Sequence, residues 1–255
     1  WYQQNFEKLN NKAKGQATYF NHNAYLVNMK DSVIRKNVIT RSSSIGIKFT
    51  ANPDKSGSVN TVMSENIVVE NNLFVEGEVG ISAGGNTDFN NGYRWKNMTI
   101  KDNVMLHIGN SQPTRRTLAF HIDANDWDGG SITGNHLLFN DKSDVVNNIF
   151  GIQVSGLSRN IDVNNNVLQG IGGKSTKMIY AAENETINNV DLSQNDVNLD
   201  LTNKSSRRDL LTYFNLSTSS AGNGVEVLVE KVKTQSKGSW SNSYLASEIN
   251  KYLTK

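Results

Sequence analysis

Ile67-Val68-Val69-Glu70-Asn71-Asn72-Leu73-Phe74 is the stretch that decides the fold. An aliphatic residue stands three positions before Asn72, and two apolar residues follow it. The pattern recurs at Ser32 to Ile39, Met98 to Met105, Gly130 to Leu137, Ile161 to Leu168 and Val190 to Val197. Its asparagines are Asn37, Asn72, Asn103, Asn135, Asn166 and Asn195, separated by 35, 31, 32, 31 and 29 residues. Three positions before each stands Ile34, Val69, Ile100, Ile132, Val163 or Leu192, aliphatic without exception. Alternation inside these segments has period two, the signature of strands. A second apolar run follows most copies: Ile45 to Phe49, Val79 to Ala83, Leu118 to Ile122, Gly151 to Val154 and Met178 to Ala181. A unit of about 30 residues holding two or more strands is the arithmetic of one coil of a parallel β-solenoid. Coils stack ~4.8 Å apart, so the asparagines fall into a ladder at a turn and the aliphatic column falls into the core.

These residues resemble the right-handed parallel β-helix family, with the asparagine ladders of pectate-lyase-like proteins. The resemblance covers roughly Asn23 to Asn198. It implies an all-β fold, a single-stranded right-handed parallel β-helix of about six coils with a C-terminal capping helix. The expected division is an N-terminal segment over 1–22, the remnant of a longer region, then coils over 23–200 and a C-terminal strand, loop and cap over 201–255. The family holds polysaccharide lyases, glycoside hydrolases, uronan epimerases, phage tailspikes and adhesins, so the resemblance chooses no subfamily. Leu245, Ile249 and Leu253 are spaced four apart and predict the capping helix. Leu210, Leu211, Tyr213 and Phe214 are expected beneath it, and alternating Val225, Val227 and Val229 read as one more strand.

Composition excludes several classes. The 26 Lys and Arg nearly balance 24 Asp and Glu, which gives no basic footprint for nucleic acid. No apolar run approaches the ~20 residues of a membrane-spanning helix. With no cysteine, a disulfide scaffold, a thiolate zinc site and a thiol nucleophile are all ruled out. The four histidines lack zinc-ligand spacing, and no Walker loop or dinucleotide fingerprint is present. No cofactor is expected. Asp123 to Gly129 offers oxygens to Ca2+, but its glycine is out of phase with a sensor loop.

Alternation also assigns faces in the second run. With Ile47 and Phe49 inward, one outward row is small (Gly46, Gly80, Ala119, Gly151) and its neighbour is polar: Lys48, Ser82, His121, Gln153, Tyr180. Small residues beside a polar row make a trough that a flat sugar polymer can approach; a small row also suits close packing of a loop, but a lining that is polar on every coil favours the trough. The row Arg35, Glu70, Lys101, Thr133, Asn164 and Ser193 reads as a solvated face. Beside the trough, the longest insertion brings Arg115, Arg116, His121, Asp123, Asp126, Trp127 and Asp128 together, and earlier loops add Glu76, Glu78, Tyr93, Arg94 and Trp95.

Cleavage of a uronate polymer by β-elimination needs a base and a group that neutralises the substrate carboxylate. His121 fits the base, with Tyr180 and Lys48 as others; Arg115 or Arg116 fits the neutraliser. Ser82, Gln153, Trp127, Arg94, Glu78 and Asp126 are the expected substrate contacts. Each has a plainer reading: a surface histidine, arginines paired with Asp126 and Asp128, a tryptophan packed on the coil. Hydrolysis would use two carboxylates, with Asp123 well placed. A noncatalytic binding β-helix would carry the same ladder. The expectation is a secreted or periplasmic lyase of an anionic polysaccharide, with no nucleic-acid or membrane partner.

Overall fold

The computed structural model describes residues 20–51, 64–84, 95–109, 114, 118–138, 148–169, 176–181, 188–198, 209–216, 225–236 and 238–255. Among these residues sixteen strands occupy the repeats, in order β1 (Ala24–Val27), β2 (Lys30–Arg35), β3 (Val38–Thr50), β4 (Ser64–Glu70), β5 (Leu73–Ala83), β6 (Trp95–Lys101), β7 (Val104–Ile108) and β8 (Leu118–Asn125). They continue with β9 (Trp127–Thr133), β10 (His136–Leu138), β11 (Asn148–Ser155), β12 (Arg159–Asn164), β13 (Val167–Gln169), β14 (Thr176–Ala181), β15 (Asn188–Asp191) and β16 (Asp196–Asn198). One sheet runs β2-β4-β6-β9-β12-β15. The other runs β14-β11-β8-β5-β7-β10-β13-β16, with β3 beside β5 and β1 beside β3. Every pairing is parallel. The chain is an all-β parallel β-solenoid of about four turns. The count is slightly lower than the six motifs imply.

The asparagine column forms as expected. Asn103 Nδ2 donates to Asn135 Oδ1 at 3.0 Å and to Val69 O at 2.9 Å, while its Oδ1 accepts from the backbone N and Nδ2 of Asn72. Asn37, Asn72, Asn135, Asn166 and Asn195 continue the column. Asn72, Asn103, Asn135 and Asn166 are fully buried. A buried amide costs about 1–3 kcal/mol per unmet group, so complete pairing is what lets a polar residue sit at this corner. Inside, Val69, Ile100, Ile132 and Val163 stack in register, as do Phe74, Met105, Leu137 and Leu168.

The residue before each ladder asparagine (Lys36, Asn71, Asp102, Gly134, Asn165, Gln194) has positive φ, and so does the residue six before it (Asp31, Asn66, Asn97, Gly129, Asn160, Asn189). Left-handed backbone favours Asn, Asp and Gly, and none of these twelve is β-branched. The second set forms its own exposed ladder, with Asn66 Nδ2 on Asp31 Oδ1 at 2.8 Å and Asn189 Nδ2 on Asn160 Oδ1 at 2.9 Å. On the outside of this sheet, Lys30, Glu65, Lys96, Asp128 and Arg159 stack with alternating sign. The row from Arg35 is the solvated face expected: Glu70 lies 3.9 Å from Arg35 and 3.2 Å from Lys101.

Two readings of the C-terminal region are corrected. Val225–Lys233 is a helix, not a strand; α1 is Leu210–Tyr213, α2 is Val225–Lys233 and α3 is Ala246–Leu253. Val225 and Leu228 are buried, with Val229 and Val232 packed beside them, a helical spacing that the Val225-Val227-Val229 alternation masked. The C-terminal helix exists, but it lies on the flank of the solenoid. Its Ala246, Ile249 and Leu253 pack with Leu73, Val75, Val104, Leu106 and Leu138, which face outward from the middle coils. Asn250 Nδ2 reaches Asn72 O at 3.2 Å. Leu210, Tyr213 and Phe214 join this second core, as the sequence implied.

Candidate functional site

Register places five residues of adjoining coils in one file, Lys48, Ser82, Asp123, Gln153 and Tyr180, and extends it to Tyr25 at the near end. Lys48 Nζ donates to Ser82 Oγ at 3.1 Å and to Gly84 O at 3.3 Å. The Ser82 hydroxyl donates onward to Asp123 Oδ2 at 3.2 Å. A cation, a hydroxyl and a carboxylate on three successive coils are thus held in one hydrogen-bonded chain. Lys48, Asp123 and Gln153 are half-buried.

Asp123, not His121, is the middle member of this file. The sequence alignment of the third coil was displaced by two residues: Phe120 pairs with Val79 and Phe150, and Ile122 with Ile81 and Ile152. His121 therefore falls in the glycine row. That row faces inward. A Cβ on Gly46 would meet Gly80 O at 2.6 Å and the Phe74 ring at 3.0 Å; one on Gly80 would meet His121 O at 2.5 Å and Met105 Sδ at 2.8 Å. Phe74 and Met105 belong to the core, as do Ile47 and Ile81 in the next position. Strict alternation fails here because pairing skips positions 46 and 80, where the strand turns a corner. The glycines are small because core side chains and the next backbone occupy the space. They form no outward trough, and Ala119, assigned to the same row, is itself buried in the core.

His121 is accordingly fully buried, and its expected role as a solvent-facing base is overturned. Its Nδ1 lies 3.3 Å from Phe150 O; since a carbonyl only accepts, that nitrogen carries the proton. Burial disfavours the imidazolium and lowers the pKa from 6.5 to about 4, the Phe150 carbonyl opposing the shift.

The tryptophans are also withdrawn as sugar platforms. Trp127 is wholly buried with Nε1 donating to Ala83 O at 2.8 Å, and Trp95, its register partner, is buried against Phe49. Glu78, expected to touch substrate, is buried and accepts from Thr114 N at 2.6 Å and Thr114 Oγ1 at 2.5 Å, which ties the insertion to the coil. Glu76 pairs with Arg41 at 3.0 Å. Asp126 has φ of 61° and accepts from Leu157 N at 2.9 Å, serving its turn. Asp128 forms a two-pronged pair with Arg159, both bonds 2.8 Å, which holds its carboxyl below the usual range. Arg94, Arg115, Arg116 and the Tyr180 side chain lie outside the described residues.

Sequence reasoning missed three aromatic residues. Tyr25, 53% exposed and stacked on His22 at 5.5 Å, ends the polar file. Its signal was present: Ala24-Tyr25-Leu26 matches the Ile47-Lys48-Phe49 pattern. Phe120 and Phe150 stack at 5.0 Å, half-buried, three residues upstream of Asp123 and Gln153. Among the described residues, no group of three or more His, Asp or Glu is arranged to hold a metal ion. Comparisons with protein-family models, curated proteins and solved structures find no significant match. The fold rests on its own geometry.

Proposed function

We propose that the protein binds an extended acidic polysaccharide along the file Tyr25, Lys48, Ser82, Asp123, Gln153 and Tyr180. The observation that carries this reading is the hydrogen-bonded run of Lys48, Ser82 and Asp123 across three coils, continued in register by Gln153. Coils ~4.8 Å apart present one polar group per step, so a chain lying along the axis meets about one donor or acceptor for each sugar residue. Lys48, pinned by Ser82 and Gly84, is a fixed cation for a uronate carboxylate. Tyr25 supplies an exposed ring for a sugar face at one end.

Cleavage of that polymer by β-elimination is a second reading of the same face. With His121 in the interior, the proton acceptor falls to Lys48 or Tyr180, and the carboxylate neutraliser to Arg115 or Arg116. Pinning of the Lys48 ammonium favours it as a binding cation over a base, which is why binding is placed first. Incubation with alginate, pectate and a glycosaminoglycan tests both. Binding that Lys48→Met weakens at least tenfold, while the fold survives, supports the proposal. Unsaturated-uronate absorbance adds lyase action, and new reducing ends without it indicate hydrolysis. Undiminished binding in Lys48→Met and Asp123→Asn together overturns the assignment to this file.

A further inference from the structure

Among the described residues, the solenoid ends in two edges of opposite character. At the first coil, β1 pairs only with β3 and β2 only with β4 among the described strands; at the last, β14, β15 and β16 each pair on one side. Such edges present unpaired backbone groups and half-covered core, the template for adding another strand. Ala24, Leu26, Ile34 and Ile39 are partly buried at the first edge, and Ile179, Val190 and Leu192 at the last.

The two edges fit each other through the same columns that build the interior. Within the stack, each ladder asparagine gives its backbone N and Nδ2 to the Oδ1 of the next. At the first edge, Asn37 donates to Asn72 and Arg35 O, and its Oδ1 accepts from none of the described residues. At the last edge, Asn195 Nδ2 donates to Val163, Leu192 and Ser193 carbonyls, and among the described residues no further asparagine receives its backbone N. An acceptor stands at one end and donors at the other. The apolar columns also continue: Ile34 would follow Leu192, and Ile39 would follow Val197, which is 40% exposed. In the first sheet no like charges would meet: in register Lys30 would face Asn188, and Asp191 would face Val33.

We propose that these edges join head to tail, the last coil of one copy of this chain receiving the first coil of the next. The contact is heterologous, so it leaves one edge of each kind open and propagates as a linear array. The polar file would then run on from Tyr180 of one copy to Tyr25 of the following one, lengthening the polysaccharide track without new residues. One position opposes the contact. Asp31 would meet Asn189, whose Oδ1 accepts from none of the described residues, and two acceptors would face each other.

Sedimentation velocity of the whole chain, from micromolar to millimolar concentration, tests the proposal. Association is expected to grow with concentration past the dimer. Val33 is 56% exposed and stands in the column that would place it against Asp191 of the preceding copy. Val33→Lys should tighten each contact by up to about fivefold and Val33→Asp should loosen it similarly, by analogy with cross-strand charge pairs. Asp31→Asn should tighten it as well, by supplying the missing donor. A chain that stays monomeric throughout, an association that stops at a dimer, or one indifferent to all three variants overturns the inference. Because none of these residues lies in the polar file, that failure would leave polysaccharide binding intact and separately measurable.

Discussion

Replacing Asn103 tests the ladder at its most buried rung. Asn103→Ala removes the acceptor of Asn72 N and one acceptor of Asn72 Nδ2, and the donor to Val69 O and Asn135 Oδ1. Asn72 Nδ2 keeps Ile34 O and Asn135 Oδ1 keeps the backbone N of residue 103, so one N–H is stranded outright and three groups lose part of their pairing. At about 1–3 kcal/mol for a stranded buried donor and ~0.5–1.5 kcal/mol for each further bond, the loss comes to roughly 2.5–7.5 kcal/mol. That is a large share of the ~5–15 kcal/mol that holds a typical domain folded. Asn37→Ala, the same change at the exposed end of the column, should cost less than about 1 kcal/mol, since water replaces the lost partner. Asn103→Asp sharpens the test. The introduced carboxylate can still accept from Asn72 but turns lone pairs on Val69 O and Asn135 Oδ1, so its protonated form is favoured in the fold. Its folded pKa is raised above the unfolded value, so this variant is most stable, relative to the parent, at low pH and loses stability as pH rises. Urea unfolding followed by far-ultraviolet circular dichroism reads all three. Equal losses for Asn103→Ala and Asn37→Ala, within about 0.5 kcal/mol, would refute the claim that burial of the amide column sets its worth.

Gly80→Ala should lower stability by about 1–3 kcal/mol, since its Cβ would lie 2.5 Å from the His121 carbonyl; an unchanged thermal midpoint would contradict the inward assignment of that row. His121 makes the fold acid-sensitive. Its folded pKa of about 4 lies below 6.5, so the unfolded chain binds the extra proton between those values and stability rises with pH across that window. The span corresponds to on the order of 3 kcal/mol, and His121→Gln should flatten the slope in denaturant titrations at pH 4 to 7. A slope that persists in His121→Gln would assign the acid sensitivity to other groups.

The architecture was legible because one residue type recurs at a turn where its side chain must pair with copies of itself. Asn37 to Asn195 and the aliphatic column three residues before them fix both coil length and register. The polar file was legible as a face, and Lys48, Ser82 and Gln153 were placed correctly in it. His121 was misplaced for two physical reasons. The insertion before it hid a two-residue displacement, and strict alternation does not survive the corner at Gly46 and Gly80. The tripeptides Ile81-Ser82-Ala83 and Ile122-Asp123-Ala124 carried the correct alignment. Burial of Glu78 had no local signal, since it depends on Thr114 arriving from the insertion. The second left-handed column was visible as Asx or Gly six residues before each ladder asparagine, a regularity that hydrophobic periodicity does not register.

Every amide in the asparagine column points the same way, with oxygen toward the first coil and nitrogen toward the last. Their dipoles add along the axis rather than cancel, as peptide dipoles do in a helix, and each bond polarises the next. The column thus carries a partial negative pole at Asn37 and a partial positive pole at Asn195. Lys36 sits beside the first and Asp196 beside the second, so a molecule with almost no net charge is nonetheless polarised from end to end, its terminal side chains compensating the field of its spine.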